Sequence, residues 1–215
     1  MTNQEIASYI DHTLLKPTAT WDQIRELCDE AVKYKTASVC IPPNYIARVK
    51  AQYGNDLKIA TVIGFPLGYE TTAAKAEETA TALDDGADEI DMVINITDLK
   101  NGDTDQVKDE IASLKAICGE KILKVIVETC YLTEEEKISM CRIVTEAGAD
   151  YIKTSTGFGT AGATLEDVKL FKQYIGENVK IKAAGGIRTK EDMEAYIREG
   201  VSRIGCSSTR VLFED

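Results

Sequence analysis

The sequence predicts an α/β fold: a (β/α)8 TIM barrel with a short C-terminal tail, organised as one domain over residues 1–215. Three observations lead there. Short β-rich apolar runs alternate with longer amphipathic runs, which implies a parallel sheet. The apolar runs number eight, and eight favour closure into a barrel over a doubly wound sheet. Several, such as 59–65 and 124–129, are apolar almost throughout, as strands buried on both faces are. There is no G-x-G-x-x-G after the first strand and no G-x-x-x-x-G-K-[ST], so the usual nucleotide-binding fingerprints are missing.

Taken in order, a first helix is predicted over 3–10, followed by a short strand at 13–15 that Pro17 ends. Thr20 caps a helix whose stripe is Ile24, Leu27, Cys28, Ala31 and Val32. The remaining strands are predicted at 38–41, 59–65, 89–94, 123–129, 151–154, 180–184 and 203–206. Helical patterns fill the gaps at 44–52, 72–85, 103–118, 133–147, 164–175 and 189–198. Thr133 with Glu136, Thr164 with Asp167 and Thr189 with Asp192 fit capping boxes. Gly86, Gly148, Gly176 and Gly200 suit C-terminal caps. Residues 207–215 leave little room for a full eighth helix.

Composition narrows the function. A formal net charge of −11 argues against nucleic acid and anionic membranes as partners. No apolar run approaches the ~18 residues of a membrane span, and the first residues carry no basic, apolar leader pattern. Six cysteines without a C-x-x-C pair read as small core hydrophobes in a reducing cytoplasm. His12 is the single histidine, so a metal site built on several histidines is excluded, and no metal or cofactor is expected.

The informative residues are charges placed where strands should be apolar. Alternation turns Ile90, Met92 and Ile94 toward the helices and Glu89, Asp91 and Val93 inward. It likewise sets Tyr151 and Lys153 against Ile152, and Lys180 and Lys182 against Ile181. One carboxylate and two ammonium groups thus converge inside the barrel. A structural Asp91–Lys ion pair is the plain reading, but it leaves one positive charge over. Two lysines sharing a site repel, and a lysine with a depressed pKa is a nucleophile suited to Schiff-base chemistry. Lys124 is a third candidate, read as lying near the strand's entrance because Val125, Ile126 and Val127 crowd beside it. The glycines of Ala184-Gly185-Gly186 and Gly205-Cys206-Ser207-Ser208 follow strands seven and eight, where many barrels bind phosphate. Thr156-Gly157-Phe158-Gly159 adds a wall after strand six.

The segments Asp11-His12-Thr13-Leu14-Leu15-Lys16, Glu89-Ile90-Asp91-Met92-Val93-Ile94-Asn95, Lys153-Thr154-Ser155-Thr156-Gly157-Phe158 and Lys182-Ala183-Ala184-Gly185-Gly186-Ile187-Arg188 closely resemble the deoxyribose-phosphate aldolase family of class I aldolases. The resemblance runs along nearly the whole chain, with the motifs in order. It implies reversible cleavage of 2-deoxy-D-ribose 5-phosphate to D-glyceraldehyde 3-phosphate and acetaldehyde, in deoxyribonucleotide catabolism. It makes Lys153 the Schiff-base lysine, Lys182 its pKa-tuning and proton-transferring neighbour, and Asp91 a proton donor and acceptor. The iminium would do the work of a Lewis acid. Asp11, Thr13, Cys40, Thr156, Gly157, Gly185, Gly186, Ser207 and Ser208 become candidate substrate-binding residues, with strand packing the stronger reading for Cys40. Phe158 stands where some relatives carry a phosphate-binding lysine. Arg210 reads first as surface-solvated and second as a partial phosphate partner. A homodimer is expected. The rival readings are another Schiff-base sugar-phosphate aldolase or transaldolase, and a catalytically silent sugar-phosphate-binding barrel.

Overall fold

The computed structural model describes residues 1–213. The first half runs α1 (Asn3–Ala7), β1 (Ile10–Thr13), α2 (Trp21–Tyr34), β2 (Ser38–Ile41), α3 (Ile46–Tyr53), β3 (Ile59–Ile63), α4 (Thr72–Asp84) and β4 (Glu89–Val93). The second half runs α5 (Ile96–Asn101), α6 (Thr104–Cys118), β5 (Ile122–Ile126), α7 (Glu134–Glu146), β6 (Tyr151–Lys153), α8 (Leu165–Tyr174), β7 (Lys180–Ala184), α9 (Lys190–Glu199) and β8 (Arg203–Cys206). The eight strands form one closed parallel barrel in chain order, with β1 paired to both β2 and β8. This is the predicted (β/α)8 barrel. After β8 the described residues form a short 3-10 turn at Thr209–Leu212.

The main core lies between the barrel and its helices. Outward strand residues such as Ile90, Met92, Val125 and Ile152 pack there against Ile111, Leu114, Met140 and Val168 from the helices. Burying one such aliphatic side chain is worth about 1.5–3 kcal/mol. A much smaller apolar group, Cys40, Ala60 and Val62, lies apart from that core.

Caps set most helix starts. Thr20 with Gln23, Thr133 with Glu136 and Thr189 with Asp192 form capping boxes. Thr164 caps α8 by accepting from Asp167 N–H, but the Asp167 carboxylate does not return the bond. It pairs instead with Lys137 at 2.6 Å, a charged partner that outcompetes a backbone N–H. Gly200 ends α9 in the left-handed conformation at φ 110°. Gly176 does not act this way: it follows an extended Ile175 and is needed for space, since a Cβ would meet Thr145 Cγ2 at 2.4 Å.

Two sequence expectations need correction. The first strand is Ile10–Thr13, not 13–15, and α1 stops at Ala7. A search for apolar runs misses Asp11 and His12, whose polar side chains are satisfied inside by Ser38 and Thr209. The helix α5 was not predicted. Its cap is Asn95, whose side-chain oxygen accepts from the N–H groups of Thr97 and Asp98. No helix among the described residues is long and apolar enough to cross a membrane.

Candidate active site

The barrel register explains how the charges meet. Asp91 pairs in register with Lys124, and Lys153 with Lys182, while Lys182 pairs onward with Arg203. Their side chains therefore converge on the axis. Asp91 receives three ammonium groups: Lys124 on Oδ1 at 2.7 Å, and Lys153 and Lys182 on Oδ2 at 2.7 and 2.6 Å. Lys182 also reaches Asp11 Oδ2 at 2.5 Å. The other Asp11 oxygen accepts from Ser38 Oγ at 2.7 Å and from Arg203 at 2.5 Å. Arg203 continues to Glu89 at 2.9 Å, and Glu89 returns to Lys124 at 2.6 Å. The contacts close into a ring.

Lys124 is thus not near an entrance. It is fully buried and bridges Glu89 and Asp91. The ring holds four cationic side chains, Lys124, Lys153, Lys182 and Arg203, against three carboxylates, Asp11, Glu89 and Asp91. The single surplus positive charge inferred from fewer residues survives in the larger set.

The surplus falls on Lys153. Burial disfavours its ammonium most, the Lys182 charge adds to that, and Asp91 opposes both without prevailing. The Lys153 pKa is therefore lowered from its ordinary 10.5. Sequence reasoning credited Lys182 with this effect; desolvation is the larger cause. Lys182 itself is buried too, but Asp11 and Asp91 hold it above its ordinary value. Burial alone would raise the Asp91 carboxyl; Lys124, Lys153 and Lys182 overcome it and keep Asp91 well below the usual carboxylate range.

A cavity of about 200 Å³ opens above this ring. Of the ring, only Lys153 lines it. Thr13, Thr156, Gly157, Gly185, Gly186 and Ser207 line it as well. Asp11, Asp91 and Lys182 lie beneath, in contact with the amine or its neighbours rather than with the cavity. Cys40 is buried against Ala60 and Val62, and burial pushes its thiol up to about 11. Ser208 is absent from the lining; its N–H donates to Cys206 Sγ at 3.1 Å. Arg210 is committed to Glu26 and Glu30 on α2.

Gly185 and Gly186 adopt φ 88° and 80°, which glycine alone tolerates freely. A Cβ on Gly185 would also meet Gly162 Cα at 2.9 Å. The result is a wall of bare backbone beside the amine. Phe158 turns its ring edge-on to Phe65, with centroids 5.3 Å apart. The cation beside the glycine wall is instead Arg188, an exposed lining residue with no ion-pair partner among the described residues. Arg188 closes the segment 182–188 but is not among the residues expected at the site. The available signal was its place two residues after Gly186, at the mouth of strand seven.

A buried lysine of lowered basicity, opening into a glycine-walled cavity at a barrel mouth, defines a lysine-dependent barrel enzyme. The chain belongs to the DeoC/LacD family of aldolases, whose family profile matches residues 6–214. A deoxyribose-phosphate aldolase of Clostridium botulinum is 65% identical over 207 residues, covering 96% of this chain and 94% of the relative. One of Clostridioides difficile is 57% identical over 205 residues, covering 95% of this chain and 94% of the relative. The tetrameric deoxyribose phosphate aldolase structure from Aeropyrum pernix superposes with a TM-score of 0.90 at 31% identity, covering 98% of this chain and 91% of that one.

Proposed function

We propose that this enzyme reversibly cleaves 2-deoxy-D-ribose 5-phosphate to D-glyceraldehyde 3-phosphate and acetaldehyde through a Schiff base on Lys153. The observation that carries the assignment of Lys153 is that it alone in the charged ring lines the cavity, with its basicity lowered. The neutral amine attacks C1 of the open-chain aldehyde to give a carbinolamine, which loses water to an iminium. Acetaldehyde carries off C1 and C2, so the bond that breaks is C2–C3. Its electron pair moves into the iminium to leave an enamine, as the C3 hydroxyl proton departs and C3 becomes the new aldehyde carbon. Asp91 accepts that proton through a water. Lys182, held as an ammonium, gives a proton toward the enamine carbon, and the proton taken up by Asp91 replaces it across their 2.6 Å contact. Hydrolysis of the resulting iminium frees acetaldehyde and Lys153. Gly185, Gly186, Ser207 and Arg188 hold the phosphate end.

Borohydride reduction in the presence of acetaldehyde tests this reading. Peptide mapping is expected to find N-ethyl-lysine at Lys153. An unmodified Lys153 in active enzyme would overturn it, and adduct formation with dihydroxyacetone instead would favour a ketone-donor aldolase or transaldolase.

The pH profile is a second test. Only the neutral amine attacks, so kcat/KM should rise with pH along a limb set by Lys153 in the free enzyme. That limb is expected below 10.5, the ordinary lysine value. A limb at or above it would mean that the amine is not activated by its surroundings.

A reducing, cytoplasmic setting fits the six free thiols. The assembly we propose is a homodimer, which light scattering would read.

A further inference from the structure

One buried acid is not used by this mechanism. Glu128 follows β5 and is 2% exposed, with no cationic partner among the described residues. Its backbone sits at φ 55° and ψ 67°, in the left-handed region. Among the described residues Lys35 is the other non-glycine residue with positive φ, and it caps the end of α2 in an exposed position. Glu128 has no such ordinary reason, and a strained, buried acid beside a cavity points to a task.

Its contacts say which task. The carboxylate accepts from Thr156 N–H, with oxygens at 3.2 and 3.4 Å, and from the Thr156 hydroxyl. The same hydroxyl accepts from Phe158 N–H at 2.9 Å. Glu128 therefore anchors both ends of the segment containing Gly157. Thr156 and Gly157 line the cavity above Lys153. Gly157 also lies against the phosphate-side loop: a side-chain carbon on Gly185 would be 3.7 Å from Gly157 Cα. Only a carboxylate suits this place. It accepts from an N–H and an O–H together, whereas a glutamine amide would turn a donor toward one of them.

We propose that Glu128 is a positioning residue: acting through Thr156, it holds the Gly157 wall against Gly185 and so sets the preference for phosphorylated over unphosphorylated sugar. This rests on the aldolase reading above for its substrate, but not for its test. Glu128→Gly removes the carboxylate while suiting the left-handed backbone, so a residue serving only the turn would be dispensable. The variant is expected to raise KM for 2-deoxyribose 5-phosphate by about tenfold, the scale of one charge-assisted hydrogen bond. KM for 2-deoxyribose and the rate of acetaldehyde trapping on Lys153 should stay near wild type. Glu128→Gln should fall between. Inorganic phosphate, titrated against both proteins and read by phosphorus NMR, should bind the glycine variant more weakly. That last measurement needs no turnover. A wild type that fails to split 2-deoxyribose 5-phosphate at C2–C3 would sink the aldolase reading, and phosphate binding would still decide the role of Glu128. Equal KM changes for both sugars, unchanged phosphate binding, or an unfolded glycine variant would each overturn the proposal.

Discussion

Asp91→Asn is expected to unfold the barrel at markedly lower temperature and to abolish turnover. The substitution is nearly isosteric, so the effect is electrostatic. Three ammonium groups lie within 2.7 Å of this carboxylate. With an amide there, four cations would face only Asp11 and Glu89 in a buried site. Removing one partner of a buried pair costs about 3–5 kcal/mol, because the orphaned charge stays buried. In a chain of this size, one kcal/mol moves the melting temperature by roughly 2–4 °C. The expected drop is therefore roughly 6–20 °C by scanning calorimetry, on those combined figures. The proton route is lost as well, worth about 10²–10⁴ in rate. A variant that melts within a degree or two of wild type would show that the ring is not held by this carboxylate.

Lys153→Met should separate reactivity from stability in the opposite sense. Turnover is expected to fall by a factor on the order of 10⁴ or more, since no other amine of the ring lines the cavity. The fold should not suffer. The Lys153 pKa is lowered in the folded state, so its ammonium costs stability at every pH below that folded value. The cost fades as pH rises from there toward the ordinary 10.5 of the unfolded chain. Methionine removes the cost and leaves three cations facing three carboxylates, with Asp91 still holding Lys124 and Lys182. A gain of about 1–2 kcal/mol, or roughly 2–8 °C, is expected near neutral pH. A clear loss of stability would mean that the Lys153–Asp91 pair is there for the fold, the plain reading that alternation alone allows.

The barrel could be read from the sequence because two-sided burial makes strands almost uniformly apolar, and because threonine caps mark the helices between them. Asp91, Lys153 and Lys182 could be read for the complementary reason: a charge interrupting such a run has few acceptable places to go. Lys124 interrupts a run in the same way, yet its depth depends on the stagger between β4 and β5, which pairs it with Asp91. No local pattern carries that offset. Arg203 was noted only as the start of a strand, and its contacts with Asp11 and Glu89 span the closed barrel. Glu128 escaped notice because it falls inside the strand predicted at 123–129, which ends at Ile126, and its backbone conformation is not written in side-chain chemistry. Thr13 lines the cavity although its strand begins three residues earlier than expected.

The charged ring is made wholly of residues within strands, whereas Thr156, Gly157, Gly185, Gly186, Arg188 and Ser207 stand on the connections above them. The electrophile-capturing power of the enzyme and its choice of partner aldehyde are therefore encoded in separable stretches of chain. Loop replacement could redirect the acceptor while the amine keeps its tuning, and directed evolution of new carbon–carbon bonds would do best to leave the staves of the barrel alone.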